Sequence, residues 1–90
     1  LAGSVIHRDM HRGTVTIAAR GVGYEVHVVS AALEELTPGG AEAQDAALWI
    51  HSVTREDGTS LFGFRQLEER ELFRLLLSVP GVGPKSALAV

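Results

Sequence analysis

The sequence predicts a mainly β domain followed by a short helical segment. Up to Phe64, apolar and polar residues alternate in short runs that glycines separate, which is the pattern of half-buried strands. After Phe64, the apolar residues recur about every 3.6 positions, which is the pattern of an amphipathic helix. The change of period predicts a boundary between a β region and a helical region near this residue.

Size and composition indicate one small domain. The chain has 90 residues, of which 46% are hydrophobic, so it can bury a core of modest size. It has no cysteine, which excludes a disulfide framework and a thiolate metal site. The apolar runs are far shorter than the about 20 residues that cross a bilayer, and residues 1–10 lack the continuous apolar stretch of a signal peptide. We therefore expect a soluble, cytoplasmic protein without membrane contact.

The charge distribution argues against a broad basic surface for nucleic acid. The formal net charge is −3, and residues 31–50 carry four acidic side chains without a lysine or arginine. Acidic and basic side chains are nearly balanced in the rest of the chain. A polyanion would therefore be bound locally, by a motif and a few basic residues.

Three strands are expected in the N-terminal part. The first lies around residues 2–7, and the polar residues 8–13 connect it to a hairpin. The hairpin strands at 14–18 and 24–28 both alternate, and the glycines of the sequence at 21–23 suit the turn between them. These strands are predicted to pair in an antiparallel sheet.

A short helix is expected after the third strand. Ser30 is a typical N-cap residue, and the helix continues to Leu36. The sequence TPGG at 37–40 ends it, because proline and glycine disfavour further helical turns. A surface loop is expected at 41–45.

Two more strands complete the β region. They are expected at 47–53 and 60–64, with a turn at 55–58 whose Asp-Gly pair favours a tight hairpin. Five short antiparallel strands with one helix between the third and the fourth is the order of an OB-fold, a partly open Greek-key barrel. The sequence therefore predicts a five-stranded antiparallel OB-fold domain at residues 1–64.

A helix-hairpin-helix motif is predicted at residues 65–90. Its first helix, at 66–78, ends before Pro80, whose ring would clash with a continuing turn. The sequence VPGVGPKSA supplies the tight turn, and Pro84 suits the first position of a second helix. The second helix is cut short at the last residue, so the motif is expected to be truncated.

The turn of this motif is a candidate site for a DNA phosphate. Gly81, Val82 and Gly83 allow a ligand to approach the backbone, and the amides that open the second helix point outward. Lys85 adds a cation beside them. Such contacts hold a duplex by its backbone and read no sequence. The pattern alone equally fits a tight connection that binds nothing.

No catalytic, metal or cofactor site is expected. The four histidines form no i, i+4 pair on a predicted helix, the serines lie in no nucleophile elbow, and the Gly-Val-Gly at 21–23 lacks the third glycine of a dinucleotide loop. Trp49, Phe62 and Phe64 suit a core or a subunit interface. A base-stacking platform, as in OB-folds that bind single strands, is the alternative for these three residues.

Three blocks of the sequence resemble the RuvA family, the bacterial subunits that bind Holliday junctions. They are GVGYEVHV at 21–28, TREDGTSLFGF at 54–64 and EERELFRLLLSVPGVGPKSALA at 68–89, in the order of the family. Thr54 stands where a valine is common, and Phe62 where a tyrosine is common. The resemblance covers well over half of the chain.

The resemblance implies a non-catalytic DNA-binding subunit that recognises Holliday junctions and supports ATP-driven branch migration in recombination, repair and the SOS response. It implies a homotetramer whose OB domains at residues 1–64 form the centre. It also implies a RuvB-type ATPase motor, bound through a C-terminal domain that this sequence lacks, and leaves a RuvC-type resolvase as a further candidate partner.

The resemblance also assigns an acidic pin to the hairpin tip at 55–58. Glu56 and Asp57 would repel phosphates at the centre of the junction, and Arg55 would contact DNA nearby. Taken alone, the same residues are simply favourable turn chemistry. Two other functions stay open: a structural or oligomerisation module in which the hairpin only packs, and an OB domain that binds single strands.

Overall fold

The computed structural model describes residues 1–38 and 45–89 of the chain. These residues form six strands and three helices: β1 (Ala2–Asp9), β2 (Thr14–Ala19), β3 (Val22–His27), α1 (Ser30–Glu35), β4 (Asp45–Ala47), β5 (Trp49–Arg55), β6 (Gly58–Phe64), α2 (Leu67–Leu77) and α3 (Pro84–Leu88). The prediction of a mainly β region followed by helices is confirmed. Of the predicted features, residues 39–40 of the helix-ending turn, residues 41–44 of the loop and residue 90 lie outside the described residues.

The strands form one mixed sheet in the order β4-β1-β2-β3-β6-β5. Its neighbouring strands are antiparallel except β3 and β6, which run parallel with Val26 opposite Leu61. The predicted five-stranded antiparallel barrel is therefore wrong in strand number and in strand direction. A curled six-stranded mixed sheet takes its place, and this arrangement is consistent with an OB-fold.

The division of one strand explains the difference in number. The expected strand at 47–53 is interrupted at Leu48, so β4 pairs with β1 and β5 pairs with β6. The Leu48 side chain is buried, and its amide donates a hydrogen bond to the carbonyl of Leu1 at 2.8 Å. Because β4 and β5 lie at opposite edges of the sheet but are consecutive in the chain, the sheet must curl until the two edges meet at Leu48.

The parallel pair has a related cause. A long stretch of chain separates β3 from β6, and only a pair joined by such a long connection can run parallel. The alternation within a strand reports which face is buried and carries no information on the direction of its neighbour.

The main core fills the inside of the curled sheet. Its buried residues are Val5, Val15, Ile17, Val26, Val28, Ala32, Leu33, Leu36 and Leu48. Gly63 lets β6 pass close to this core, because a Cβ at that position would lie only 2.6 Å from Cγ1 of Val26. The region at 1–64 thus has an interior of its own.

A second core holds the helices against the outer face of β6. Phe62 and Phe64 pack there with Phe73 of α2 and Ala87 of α3. The ring centroid of Phe73 lies 5.1 Å from that of Phe62 and 5.0 Å from that of Phe64. Successive residues of a strand face opposite sides, so Leu61 packs on the main core while its neighbour Phe62 packs on the helices.

The observed helix ends agree with the predicted ones except at the start of α1. The span of α2 lies within one residue of the predicted 66–78, and Pro84 opens α3 as expected. The predicted N-cap is wrong, since Ser30 is the first residue of α1 and Val29 holds the N-cap position without a side-chain hydrogen bond. Val29 is partly buried against the main core and has the extended backbone of a cap residue, so packing decides this boundary.

Candidate nucleic-acid interface

The hairpin between β5 and β6 carries the first group of predicted site residues. Arg55 is paired with Gly58, so Glu56 and Asp57 are the two residues of the turn. Both acidic side chains are exposed. Below the tip, the hydroxyl oxygens of Thr54 and Thr59 lie 3.2 Å apart and form a hydrogen bond across the strands. The hairpin therefore exposes two carboxylates to solvent, and a hydrogen bond between its strands stabilises the residues below them.

The turn between α2 and α3 carries the second group. Gly81 has a φ of +85°, which a residue with a side chain adopts only under strain. Gly83 has a φ of −88°, and a Cβ built on it would meet no atom within 4 Å. The backbone conformation therefore requires glycine at 81, whereas glycine at 83 leaves open space on the outside of the turn. Val82 is partly buried against the second core.

The start of α3 faces this open space. The amides in the first turn of a helix have no partner within the helix, and Pro84 has no amide hydrogen. Lys85 is exposed beside them, while Ala87 is buried in the second core. The core contact fixes the position of α3, and the exposed Lys85 side chain lies in its first turn.

The fold brings the two groups together although about 25 residues separate them in the sequence. A cleft of about 440 Å³ lies between the hairpin and the start of α3. Four of the predicted site residues line it: Arg55, Asp57, Gly83 and Lys85. The other three lie outside its lining: Glu56, Gly81 and Val82.

The same cleft has residues that sequence reasoning did not assign to it. They include His27, Thr59, Ser60 and Ser86, together with Phe62, for which the sequence predicts only a core, interface or stacking role. The ring of His27 stacks on that of Phe62, with centroids 5.1 Å apart and planes 23° apart. These two residues are opposite each other in the parallel pair of β3 and β6. Their contact could be found from the sequence only by predicting that pairing.

The surroundings of His27 lower the pKa of its imidazole. Burial lowers its pKa, and the Lys85 and Arg12 cations lower the pKa further against the opposing effect of Glu25. His27 also borders a second cleft, of about 390 Å³, that Arg12 and Lys85 line. Arg12 forms an ion pair with Glu25 at 2.8 Å. His27 therefore stands between two clefts as an uncharged ring with basic residues on each side.

The three aromatic residues considered for base stacking divide into two kinds. Phe62 and Phe64 are buried in the second core, which confirms the core interpretation for them. Trp49 is 46% exposed, and the guanidinium carbon of Arg70 lies 5.5 Å from the centroid of its ring. A platform of all three rings is thus absent from the described part of the chain.

A metal site and a membrane-spanning helix are the two remaining features to consider. Over residues 1–38 and 45–89, no group of three or more His, Asp or Glu side chains could hold a metal ion. Within the same ranges, no helix has the length and apolar character needed to span a membrane.

Comparison with known proteins places the chain in a family. Residues 1–63 match the model of the RuvA N-terminal domain. A relative from Synechococcus sp. (strain CC9311) is 48% identical over 79 residues, which cover 88% of this chain and 34% of the relative. One from Parasynechococcus marenigrum (strain WH8102) is 44% identical over 92 residues, which cover 100% of this chain and 43% of the relative. One from Cronobacter sakazakii (strain ATCC BAA-894) is 50% identical over 76 residues, which cover 84% of this chain and 36% of the relative.

All three relatives are named Holliday junction branch migration complex subunit RuvA. The chain spans less than half the length of these relatives. The family model nevertheless matches well over half of the chain. The chain therefore belongs to the RuvA N-terminal domain family.

Proposed function

We propose that this protein binds four-way DNA junctions as the DNA-binding subunit of a branch-migration complex in recombination and repair. The observation that carries the proposal is the shared cleft, which Arg55 and Asp57 of the hairpin and Gly83 and Lys85 of the second turn line together. It places two cations and open backbone next to one carboxylate, that of Asp57. Such a surface attracts a phosphate backbone on one side and repels it on the other, which suits a ligand whose strands part at this point.

The start of α3 is the proposed phosphate contact. Gly83 leaves space for a backbone to approach, and Lys85 supplies the positive charge. Val82 would support this contact by fixing the turn, since its amide donates to the carbonyl of Val79 at 3.2 Å and its side chain packs against the second core. Contacts of this kind are independent of base sequence, as binding to a DNA structure requires.

The hairpin tip is the proposed acidic pin. Glu56 and Asp57 are exposed at its end, where they would keep phosphates of neighbouring strands apart. Arg55, directly before them, would contact one of the separated strands. The two carboxylates are adjacent in the chain, so the tip carries two negative charges on successive exposed residues.

A homotetramer is the proposed assembly. Residues 1–64 would form its centre as the OB domain, and residues 65–90 would extend outward as the first helix-hairpin-helix motif. Large apolar side chains exposed on the first three strands and their turns could bury each other between copies: Ile6, Met10 and Val22. Four copies would bring four acidic tips around one axis.

The remaining assignments follow from the same proposal. The protein would act in the cytoplasm without catalysis of its own, and a RuvB-type motor would supply ATP hydrolysis. A RuvC-type resolvase would use the same junction. The names of the relatives support a complex of this kind.

A competition binding assay tests the proposal. A labelled four-way junction is bound to the protein and competed with unlabelled junction, linear duplex and single strand of matched sequence at one salt concentration. We expect the junction to compete best. Preference for the single strand would support the single-strand-binding alternative instead, and lack of binding to all three would support the structural module.

A further inference from the structure

We propose that the cleft between the β5–β6 hairpin and the start of α3 binds one unpaired nucleotide, with its base against the ring of His27. The inference rests on the proposed function, because unpaired nucleotides arise where strands leave one duplex for another. It adds a base-binding site to a surface whose other contacts are with phosphates.

The cleft has the size and mixed lining of a site for a single small molecule. Its volume of about 440 Å³ lies within the about 300–1,000 Å³ that such sites have. The lining includes the apolar side chains of Val53 and Phe62 together with polar groups of the hairpin and α3. A nucleotide has the same division into an apolar face, polar edges and a charged end.

His27 provides the surface for the base. Its ring is backed by Phe62 at a centroid distance of 5.1 Å, so its plane is supported in a fixed orientation. Burial and the nearby Lys85 and Arg12 lower its pKa, which favours the uncharged ring at neutral pH. A flat, neutral and supported ring suits base stacking, which is the sequence-tolerant contact of single strands.

The polar groups of the lining can accommodate the rest of the nucleotide. Hydroxyl groups of Thr59, Ser60 and Ser86 can exchange hydrogen bonds with base edges and sugar. The Asp57 carboxylate accepts hydrogen bonds only, so it can bind an amino group of a base. Arg55 and Lys85 lie in the same lining as cations for the phosphate.

A bare phosphate suits only the part of this lining at Arg55 and Lys85. Asp57 repels an anion from the hairpin side, and the lowered pKa of His27 disfavours a cationic ring. The negative charge of Asp57 therefore favours one orientation of a nucleotide, in which the base lies near Asp57 and the phosphate lies near Arg55 and Lys85.

Titrations followed by NMR test the inference on the full chain. The probes are a single-stranded tetranucleotide, a duplex of the same composition and inorganic phosphate. We expect the tetranucleotide to shift the ring signals of His27 and the amide signals of Thr59 and Ser86 in a saturable way. Equal shifts of the His27 ring signals with inorganic phosphate would show that the ring responds to an anion alone and would overturn the inference.

Three variants separate stacking from other roles of the ring. His27→Ala should weaken tetranucleotide binding by about tenfold, the size expected when one base–aromatic stack is lost. His27→Phe should retain most of the affinity, because it keeps the flat ring. His51→Ala is the matched control, since His51 also contacts a phenylalanine, Phe73, but lies outside the cleft lining.

The affinities of these variants can either support or overturn the proposed nucleotide site. Equal losses in His27→Ala and His51→Ala would show a structural effect, and a full loss in His27→Phe would show that ring nitrogens rather than stacking hold the ligand. Either result overturns the inference. Thermal unfolding of each variant shows that it is folded under the conditions of the titration.

A junction with a fluorescent base at the crossover separates this inference from the proposed function. We expect the wild-type protein to change the fluorescence on binding and His27→Ala to bind without that change. If the wild-type protein binds the junction but leaves the fluorescence unchanged, only the nucleotide site is refuted. If the junction is not bound while the tetranucleotide is, the proposed function fails and the cleft remains a nucleotide site.

Discussion

The imidazole of His27 stacks on the ring of Phe62, with their centroids 5.1 Å apart. Phe62 in turn packs on Phe73 of α2, again at a centroid distance of 5.1 Å. A continuous series of ring contacts therefore leads from the cleft lining to the second core. The same few side chains take part in the protonation of His27, the packing of the second core and the proposed ligand binding in the cleft. Each of these properties can be tested separately.

Stability should fall when the pH is lowered from 7.5 to 5. The pKa values of His27 and His51 are lowered in the folded protein, chiefly by burial, whereas both should be about 6.5 in the unfolded chain. The unfolded state therefore binds protons first as the pH falls below about 6.5, and the stabilisation is lost as the pH approaches the folded pKa values. Urea unfolding at several pH values measures this change.

A variant with both rings replaced, His27→Phe with His51→Phe, should show a weaker pH dependence over the same range. The carboxyl of Asp9 does not interfere, because hydrogen bonds from the amides of Arg12 and His11 lower its pKa and its contribution is lost only below about pH 4. An unchanged slope in the double variant would contradict the assignment to these histidines.

Truncating Phe73 should release the helices from the sheet. Phe73 is 2% exposed and contacts the rings of Phe62, Phe64 and His51, so Phe73→Ala should cost about 3–5 kcal/mol of unfolding free energy. Leu75→Ala on the same helix is the control, because Leu75 is 66% exposed, and should change stability by about 0.5 kcal/mol or less. Similar costs for both changes would refute the second core as a source of stability.

The two glycines of the second turn should respond differently to substitution. Gly81→Ala should cost about 1–2 kcal/mol of stability, since its φ of +85° disfavours any side chain. Gly83→Asn should leave stability nearly unchanged, because the position is an N-cap with open space and asparagine caps well. The same Gly83→Asn change should weaken junction and duplex binding together. Unchanged affinity in Gly83→Asn would show that no ligand approaches the turn there.

Removing both charges of the hairpin tip should impair discrimination between DNA structures. Glu56→Gln with Asp57→Asn should leave the fold intact, because both side chains are exposed, and should raise duplex affinity relative to junction affinity. The rate of branch migration with the motor should also change. Glu68→Gln with Glu69→Gln changes the net charge equally at exposed sites outside the shared cleft and serves as the control. If both pairs raise duplex affinity alike, the tip has no specific role.

Replacing Lys85 should flatten the salt dependence of DNA binding. Lys85→Gln should lower the slope of log affinity against log salt by about 0.9, the value for one phosphate contact on a duplex. Arg20→Gln removes an exposed cation from the turn between β2 and β3 and should leave the slope nearly unchanged. Equal slopes for Lys85→Gln and the wild type would exclude a phosphate contact at this residue.

Local features of the fold were predictable from the sequence because neighbouring residues determine them. Alternation revealed the strands, Pro84 marked the start of α3, and the Asp-Gly pair after Glu56 marked the hairpin tip. The candidate residues of the hairpin and of the second turn could be named from the sequence, since each group lies within one short motif, and their roles stay predictions.

The sequence by itself determined the approximate positions of the strands and helices and the two short motifs, whereas the tertiary structure decided where one strand divides and how the elements meet. The break at Leu48, the parallel pairing of His27 with Phe62 and the burial of Val82 all depend on partners distant in the chain. A period of two or 3.6 states which side of an element is apolar, but not which other element covers that side. The cleft is therefore a product of packing, because the second core positions α3 beside the hairpin and brings Lys85 and Asp57 into one lining.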